Sequence, residues 1–280
     1  MAICLACVGV WISVASAAAY FLFFRKSSKE VQLRKQDWKK DVVYLYQFPR
    51  SPTVPNVSPF CLKVETFLRV NKIAYEVCPL TMGRSQYGLL PFVELNGEHI
   101  ADSQVIVNRL TKYFSVKAYK SAKDAAVART VCRTADIHTF MVNYKFKLVD
   151  NANNFVAMLM KDLGCPSFLL PLATALGGYM MKQKATKRIA GSVGQLSDED
   201  YKELLRMDLD AYRDILGDQK YLFGDEITPA DCTLFGQLAT TLYVTVDTYG
   251  KEVLKEHYPS LVAYCERIKT SVFGNDFAEK

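Results

Sequence analysis

The chain has 280 residues, half of them hydrophobic, 23% charged and with a formal net charge of +6. That balance excludes a chain that is mainly disordered, and no collagen, heptad or solenoid period is present. The length suits one large domain or two small ones.

The first 24 residues carry no charged side chain. As a helix, Ala2 to Phe24 would span about 34 Å, enough for the ~30 Å hydrocarbon core of a bilayer. A cleaved signal peptide is the competing reading, with small residues at Ala15 and Ala17. It requires a basic leader, which only the amino terminus supplies here. The apolar run continues through Phe24 and then meets basic residues, as an uncleaved anchor does. Residues 25–40 hold seven Lys/Arg and two acids, which leaves 28 basic and 27 acidic residues elsewhere. The charge is therefore local, and net charge makes no case for nucleic-acid binding. A basic flank on this side alone predicts a single-pass anchor over 1–24, in contact with membrane lipid, and a basic linker over 25–41. The folded body is then expected in the cytosol, with the organelle left open.

Val42–Tyr46 is short, β-branched and aromatic, and predicts a buried strand. A loop with Pro49, Pro52 and Pro55 follows. Ser58-Pro59-Phe60-Cys61 then opens a helix, with Ser58 as N-cap and Pro59 in the first helical position. Apolar residues continue it to about Asn71. Ala74–Cys78 predicts a second strand, parallel to the first as in any βαβ unit. Phe92–Leu95 and His99–Ala101 flank Asn96-Gly97, a strong type I′ hairpin signal. Asp102-Ser103 starts a helix that runs to about Tyr113.

The order β-α-β then β-β-α, with Pro91 heading the third strand, resembles the thioredoxin-like domain of the glutathione transferase superfamily. Three strings match in order: S-P-F-C at the first helix, G-x-L-P-F before the hairpin and D-S before the helix that follows it. The longer string from Tyr46 to Lys63 resembles the failed-axon-connections family, and within it the nematode cadmium-responsive proteins. The resemblance covers roughly residues 42–270. It implies an α/β thioredoxin-like domain over 42–116 and an all-helical transferase C-terminal domain over 117–280, behind the N-terminal transmembrane helix.

The resemblance also implies a glutathione site. Ser58, at the N-terminal end of a helix, takes the place of the residue that stabilises the thiolate. A helix N-terminus offers free N–H groups and a positive dipole end to such an anion. Leu90, before a cis Pro91, would pair its backbone with the cysteinyl part, and Asp102 and Ser103 would hold the γ-glutamyl end. Plain capping is the competing role for Ser58, Asp102 and Ser103. Arg84 is either a carboxylate partner or merely solvated. The motif also looks like the C-P-F-C of glutaredoxins with Ser in place of the nucleophilic Cys, which argues against disulfide reduction. Cys61 is expected to be buried. The eleven-residue Pro-rich loop is longer than the tight turn of active transferases; it could move Ser58, cover the thiol site or form a separate surface.

The second half reads as helical. Ala118–Val149 predicts a long helix with one break. The uncharged run from Cys165 to Met181 is short for a membrane span and predicts a buried helix, with a membrane- or partner-facing patch as the alternative. Ser197 caps the next helix and Gly217 ends it. Thr228-Pro229-Ala230-Asp231 predicts a capping box, with Ile227 stapled against Cys232. This string resembles the helix start of the transferase C-terminal domain, where it is a folding element. Asp231 is therefore kept out of the site. The eight Cys are scattered and the three His have no ligands at metal spacing, so neither a disulfide framework nor a metal site is expected. Three functions compete. One is a glutathione-dependent transferase, homodimeric as its relatives often are, acting in detoxification or the stress response. The second is a non-catalytic, metaxin-like binding module on the same fold. The third, suggested by the resemblance to the cadmium-responsive proteins, is a cadmium-handling protein through its thiols, although the scattered Cys argue against a dedicated metal cage. The sequence leaves turnover open.

Overall fold

In the computed structural model, residues 32–117 and 119–278 are described. Four strands, β1 (Val43–Gln47), β2 (Tyr75–Pro79), β3 (Phe92–Leu95) and β4 (Glu98–Ala101), form one sheet in the order β2-β1-β3-β4. β1 pairs parallel to β2 and antiparallel to β3, and β3 pairs antiparallel to β4. The hairpin is where Asn-Gly predicts it. Asn96 and Gly97 adopt φ of 50° and 82°, the pair of positive values that a type I′ turn requires.

α1 (Pro59–Val70) crosses from β1 to β2, and α2 (Ser103–Tyr113) follows β4. α1 is buried on two sides. Val64, Phe67 and Leu68 meet Val43, Leu45, Val93, Ile106 and Leu110 in the core of the sheet domain. Leu62 instead joins the core of the helical domain. Each such apolar side chain stabilises by roughly 2 kcal/mol when fully buried.

The helical domain begins with α3 (Ala122–Arg133), passes through a π-helical turn (Thr134–Thr139) into α4 (Phe140–Lys145), and through a second (Phe146–Asp150) towards α5 (Ala152–Asp162). The predicted long helix thus exists, broken by two π turns. α6 (Leu170–Ala190), α7 (Asp198–Leu216), α8 (Pro229–Leu242), α9 (Tyr249–His257) and α10 (Pro259–Ile268) follow. Ser197 with Asp200 and Thr228 with Asp231 form complete capping boxes, so both predicted helix starts are present. Ile227 packs in the same cluster as Cys232.

α8 is the central pillar. Every residue from Ala230 to Leu242 is buried. It crosses α1 so closely that a Cβ on Gly236 would lie 2.5 Å from the Pro59 carbonyl oxygen. Beside this crossing Lys63 Nζ contacts Asp136 Oδ2 at 2.6 Å, with both side chains buried.

Two expectations are corrected. The fold was expected to carry an N-terminal transmembrane helix. Among the described residues no helix is long and apolar enough to cross a membrane. Even α6, the longest described helix at 21 residues, ends in Lys182, Lys184, Lys187 and Arg188. Residues 1–24, on which the expectation was placed, lie outside the described residues. The run 165–181 was expected to be a buried helix. It is helical from Leu170, but its outer face is exposed: Leu172 by 70% and Leu176 by 60%. Only the side of Gly177 and Gly178 is packed, against Val156 and Asn153 of α5. Hydropathy reports that a segment is apolar, not that a partner covers it.

Candidate functional site

The register of the sheet brings three chain segments to one end. Tyr46 of β1 sits opposite Phe92 of β3, which sits opposite Ala101 of β4. The loop leaving β1, Pro91 entering β3 and Asp102 leaving β4 therefore share an edge. Cys61, Leu90, Phe92 and Ala101 pack in one buried cluster there, with Tyr44 and Tyr46.

Ser58 stands at the N-terminus of α1, half-buried. Its Oγ accepts from the Cys61 N–H at 3.5 Å, and its own N–H donates to Asn56 Oδ1 at 3.0 Å. The same hydroxyl also meets the Cys61 thiol, so in this structure it is turned towards its own helix. Cys61, one turn further in, is fully buried, as expected. Burial pushes its thiol up to about 12, and the opposing hydrogen bond from Ser58 is the smaller effect. It is no nucleophile at neutral pH.

The Leu90–Pro91 bond is cis. Neither the N–H nor the C=O of Leu90 has a hydrogen-bond partner among the described residues. Asp102 N-caps α2: its Oδ1 accepts from the N–H groups of Gln104 and Val105 at 2.9 and 3.1 Å. It does so at φ 75° and ψ 124°, a backbone conformation that non-glycine residues rarely adopt. Such outliers cost about 1–3 kcal/mol and cluster at ligand sites. Ser103 is buried, and the neighbouring Gln104 keeps a buried Oε1 without a partner. Ser58, Leu90, Pro91, Asp102 and Ser103 are thus gathered at one end of the sheet, in two helix starts and the segment between them.

The Pro-rich loop is pinned rather than open. Arg50 donates to the buried Glu65 at 2.7 Å and to the Asp276 carbonyl at 3.1 Å. Ser51 donates to Asp162 at 2.8 Å, and Asn56 to the Phe48 carbonyl at 2.8 Å. Val54 is buried in the helical core. Glu65 also accepts from Gln47 at 2.8 Å, so this carboxylate joins the end of β1, the loop and α1. Arg84 meets no carboxylate among the described residues. Its guanidinium lies 5.1 Å from the centre of the Phe48 ring at the lip of the site, and its Nη1 donates to the Gly83 carbonyl.

Sequence reasoning missed two features nearby. Phe60, two residues after Ser58, packs against Phe140 with ring centres 4.7 Å apart and the rings tilted by 60°, and Phe140 meets Tyr144 at 5.2 Å. Arg188 of α6 covers both of these rings at 5.4 and 5.7 Å. The i, i+4 spacing of Phe140 and Tyr144 was the available signal for this aromatic ledge between the domains. The other feature is a His138–Asp208 contact of 2.8 Å, joined by Thr139 and Tyr212. The first π turn places His138 and Thr139 side by side on α7. A cavity of about 490 Å³ also exists, but Arg69, Lys72 and Tyr221 line it at the far end of α1, away from Ser58.

Among the described residues no group of three or more His, Cys, Asp or Glu side chains could hold a metal ion. The chemistry available is that of a helix N-terminus, a hydroxyl donor and free backbone groups: anion binding and β-type pairing with a peptide-like ligand.

Comparison with known proteins agrees with this architecture. The glutathione S-transferase N-terminal domain model matches residues 59–153, and the glutathione S-transferase C-terminal domain model matches residues 205–268. Failed axon connections of Drosophila melanogaster is 31% identical over 257 residues, covering 88% of this chain and 62% of that protein. The chain therefore spans less than two thirds of that relative's length. An isoprene-epoxide glutathione S-transferase of Rhodococcus is 22% identical, covering 81% of this chain and 98% of that protein. A crystal structure of a glutathione transferase from Phanerochaete chrysosporium shares the fold, with a TM-score of 0.56 at 13% identity, covering 86% of this chain and 100% of that one. By both of its domains the chain belongs to the glutathione S-transferase superfamily, and it is a homologue of Failed axon connections.

Proposed function

We propose that the chain binds glutathione across the end of the sheet and activates its thiol at the N-terminus of α1. The observation that carries this reading is the convergence of Ser58, the unpartnered backbone of Leu90 and the start of α2 around one buried cluster. Glutathione is an extended peptide with an anionic γ-glutamyl end and a titratable thiol. Leu90 would pair with its backbone. Ser103, with the first N–H groups of α2, would take the γ-glutamyl carboxylate, and Asp102 its ammonium group. The Ser58 hydroxyl and the N-terminal dipole of α1 would lower the thiol pKa. The thiolate then attacks an electrophilic carbon, the C–S bond forms, and the leaving group departs with the electron pair. The aromatic ledge of Phe60, Phe140 and Tyr144 provides a wall for that second substrate.

The second reading is a binding module on the glutathione-transferase fold, without turnover. It is favoured by one observation: the Ser58 hydroxyl is already engaged as the cap of α1. A role in the cellular response to cadmium rests on the family resemblance. It would run through glutathione: among the described residues Cys61, Cys132, Cys232 and Cys265 are buried, and the half-buried Cys78 and Cys165 belong to no group of side chains that could hold a metal ion.

Ultraviolet absorbance of the thiolate, read against pH with protein and glutathione together, tests activation. A bound thiol that titrates below free glutathione, with turnover of a generic aryl halide, supports the enzyme. Binding without either leaves the module. Absence of glutathione binding removes the enzyme and leaves only a module with another ligand.

A further inference from the structure

Seven of the sixteen large hydrophobic side chains exposed among the described residues fall between Leu163 and Met180. Phe168 is exposed by 82%, Leu172 by 70%, Tyr179 by 65%, Met180 by 62% and Leu176 by 60%. The α5–α6 hairpin that carries them lies almost wholly between the two family matches, which end at 153 and resume at 205. The patch therefore lies outside both family matches. A concentration of exposed apolar surface of this kind marks an interaction site.

Its chemistry indicates the occupant. The i, i+4 row Leu172–Leu176–Met180 continues into Lys184, and Lys187 lies one i, i+3 step further; with Lys182, all three lysines are exposed. Between Asp162 and Asp198 the chain contains no Asp or Glu. The two flanking carboxylates are themselves engaged, Asp162 by Ser51 and Asp198 by Lys145. The face thus combines an apolar stripe with a basic end and nothing to neutralise it. A second copy packed face to face about a two-fold axis would offer it the same carboxylate-free surface. A bilayer with anionic headgroups offers both hydrocarbon and negative charge. The lysines prevent α6 from spanning, which leaves it lying in the interface.

We propose that the outer face of α6 is a docking surface for an anionic lipid bilayer, with Phe168, Leu172, Leu176 and Tyr179 entering the headgroup–acyl boundary and Lys182, Lys184 and Lys187 meeting the headgroups. This surface is separate from the glutathione site and does not depend on it.

The test uses the full chain with Tyr179→Trp as a local probe and the native indoles removed by Trp11→Phe and Trp38→Phe. The chain is mixed with brominated phosphatidylcholine vesicles, with and without phosphatidylserine. Because the probe sits on α6, adsorption through any other part of the chain leaves its emission unchanged. The expected result is a blue shift and bromine quenching with phosphatidylserine vesicles and little of either without it. Adding Lys182→Gln, Lys184→Gln and Lys187→Gln should weaken this partitioning on the order of 100-fold, since each lysine near an anionic surface contributes roughly fivefold. Three results overturn the proposal. The indole stays solvent-exposed with both vesicles; the triple Lys variant partitions as well as its parent; or the emission shifts without lipid as protein concentration rises, which means that a second copy covers the face.

Discussion

Gly236→Ala probes the contact that holds the two domains, and with them the start of α1. An added Cβ would lie 2.5 Å from the Pro59 carbonyl oxygen and 3.3 Å from the Lys63 Cβ. The closest neighbour is backbone, so no side-chain rotation relieves the clash. α1 and α8 would have to separate by roughly half an ångström or more. Overpacking of this kind costs about 1–3 kcal/mol, and a clash with backbone belongs at the upper end. Alanine returns up to about 1 kcal/mol of helix propensity. The net expectation is a loss of about 1–2 kcal/mol, or several degrees in Tm at this size. Gly191→Ala is the control. It adds a methyl whose nearest neighbour is 3.6 Å away, and it should be neutral or stabilising by about 0.4–1 kcal/mol. Equilibrium urea unfolding of both variants gives the comparison. If Gly236→Ala matches or exceeds the parent in stability, the close α1–α8 crossing is wrong.

Three further perturbations address single contacts. Ser58→Ala should cost about 1 kcal/mol as a lost cap, whereas Ser58→Gly should cost only a few tenths of a kcal/mol; if the hydroxyl also serves a thiolate, both variants raise the pKa of bound glutathione alike, read by thiolate absorbance. Lys63→Met strands Asp136 in the core and should cost about 3–5 kcal/mol in urea unfolding, and most of this should return in Lys63→Met/Asp136→Leu, because no unpaired charge is then left at that position. The hydrogen bond to Asp208 raises the His138 pKa above the ordinary 6.5. Its stabilisation is therefore fully present below pH 6.5 and lost as pH rises through the higher native value. The urea midpoint of the parent should fall across that window, and in Asp208→Asn that component of the decline should be absent.

The elements that the sequence announces are those with local causes. The type I′ turn at Asn96-Gly97, the capping boxes at Ser197 and Thr228, and the Pro59 helix start each follow from two to four adjacent residues. The site residues are also local features, because helix starts and a proline-headed strand are written in short strings. Features set by distant partners stayed hidden. Nothing adjacent to Lys63 announces that it will be buried against Asp136, 73 positions away. The first π turn carries His138 and Thr139 onto α7, a contact that no local string announces, and a helical period predicts one helix with a single break. The Pro-rich loop reads as an open insertion until Arg50 is seen to reach Glu65. The run 165–181 has the composition of a core helix and lies on the surface, because composition does not reveal which neighbour is present.

The central claim, that glutathione lies between the starts of α1 and α2, is tested most directly by calorimetric titration of the full chain with glutathione, alongside Ser103→Ala. Binding with one glutathione per chain, weakened at least tenfold in Ser103→Ala while urea stability is kept, is the predicted result. No binding, or binding that Ser103→Ala leaves untouched, contradicts the placement.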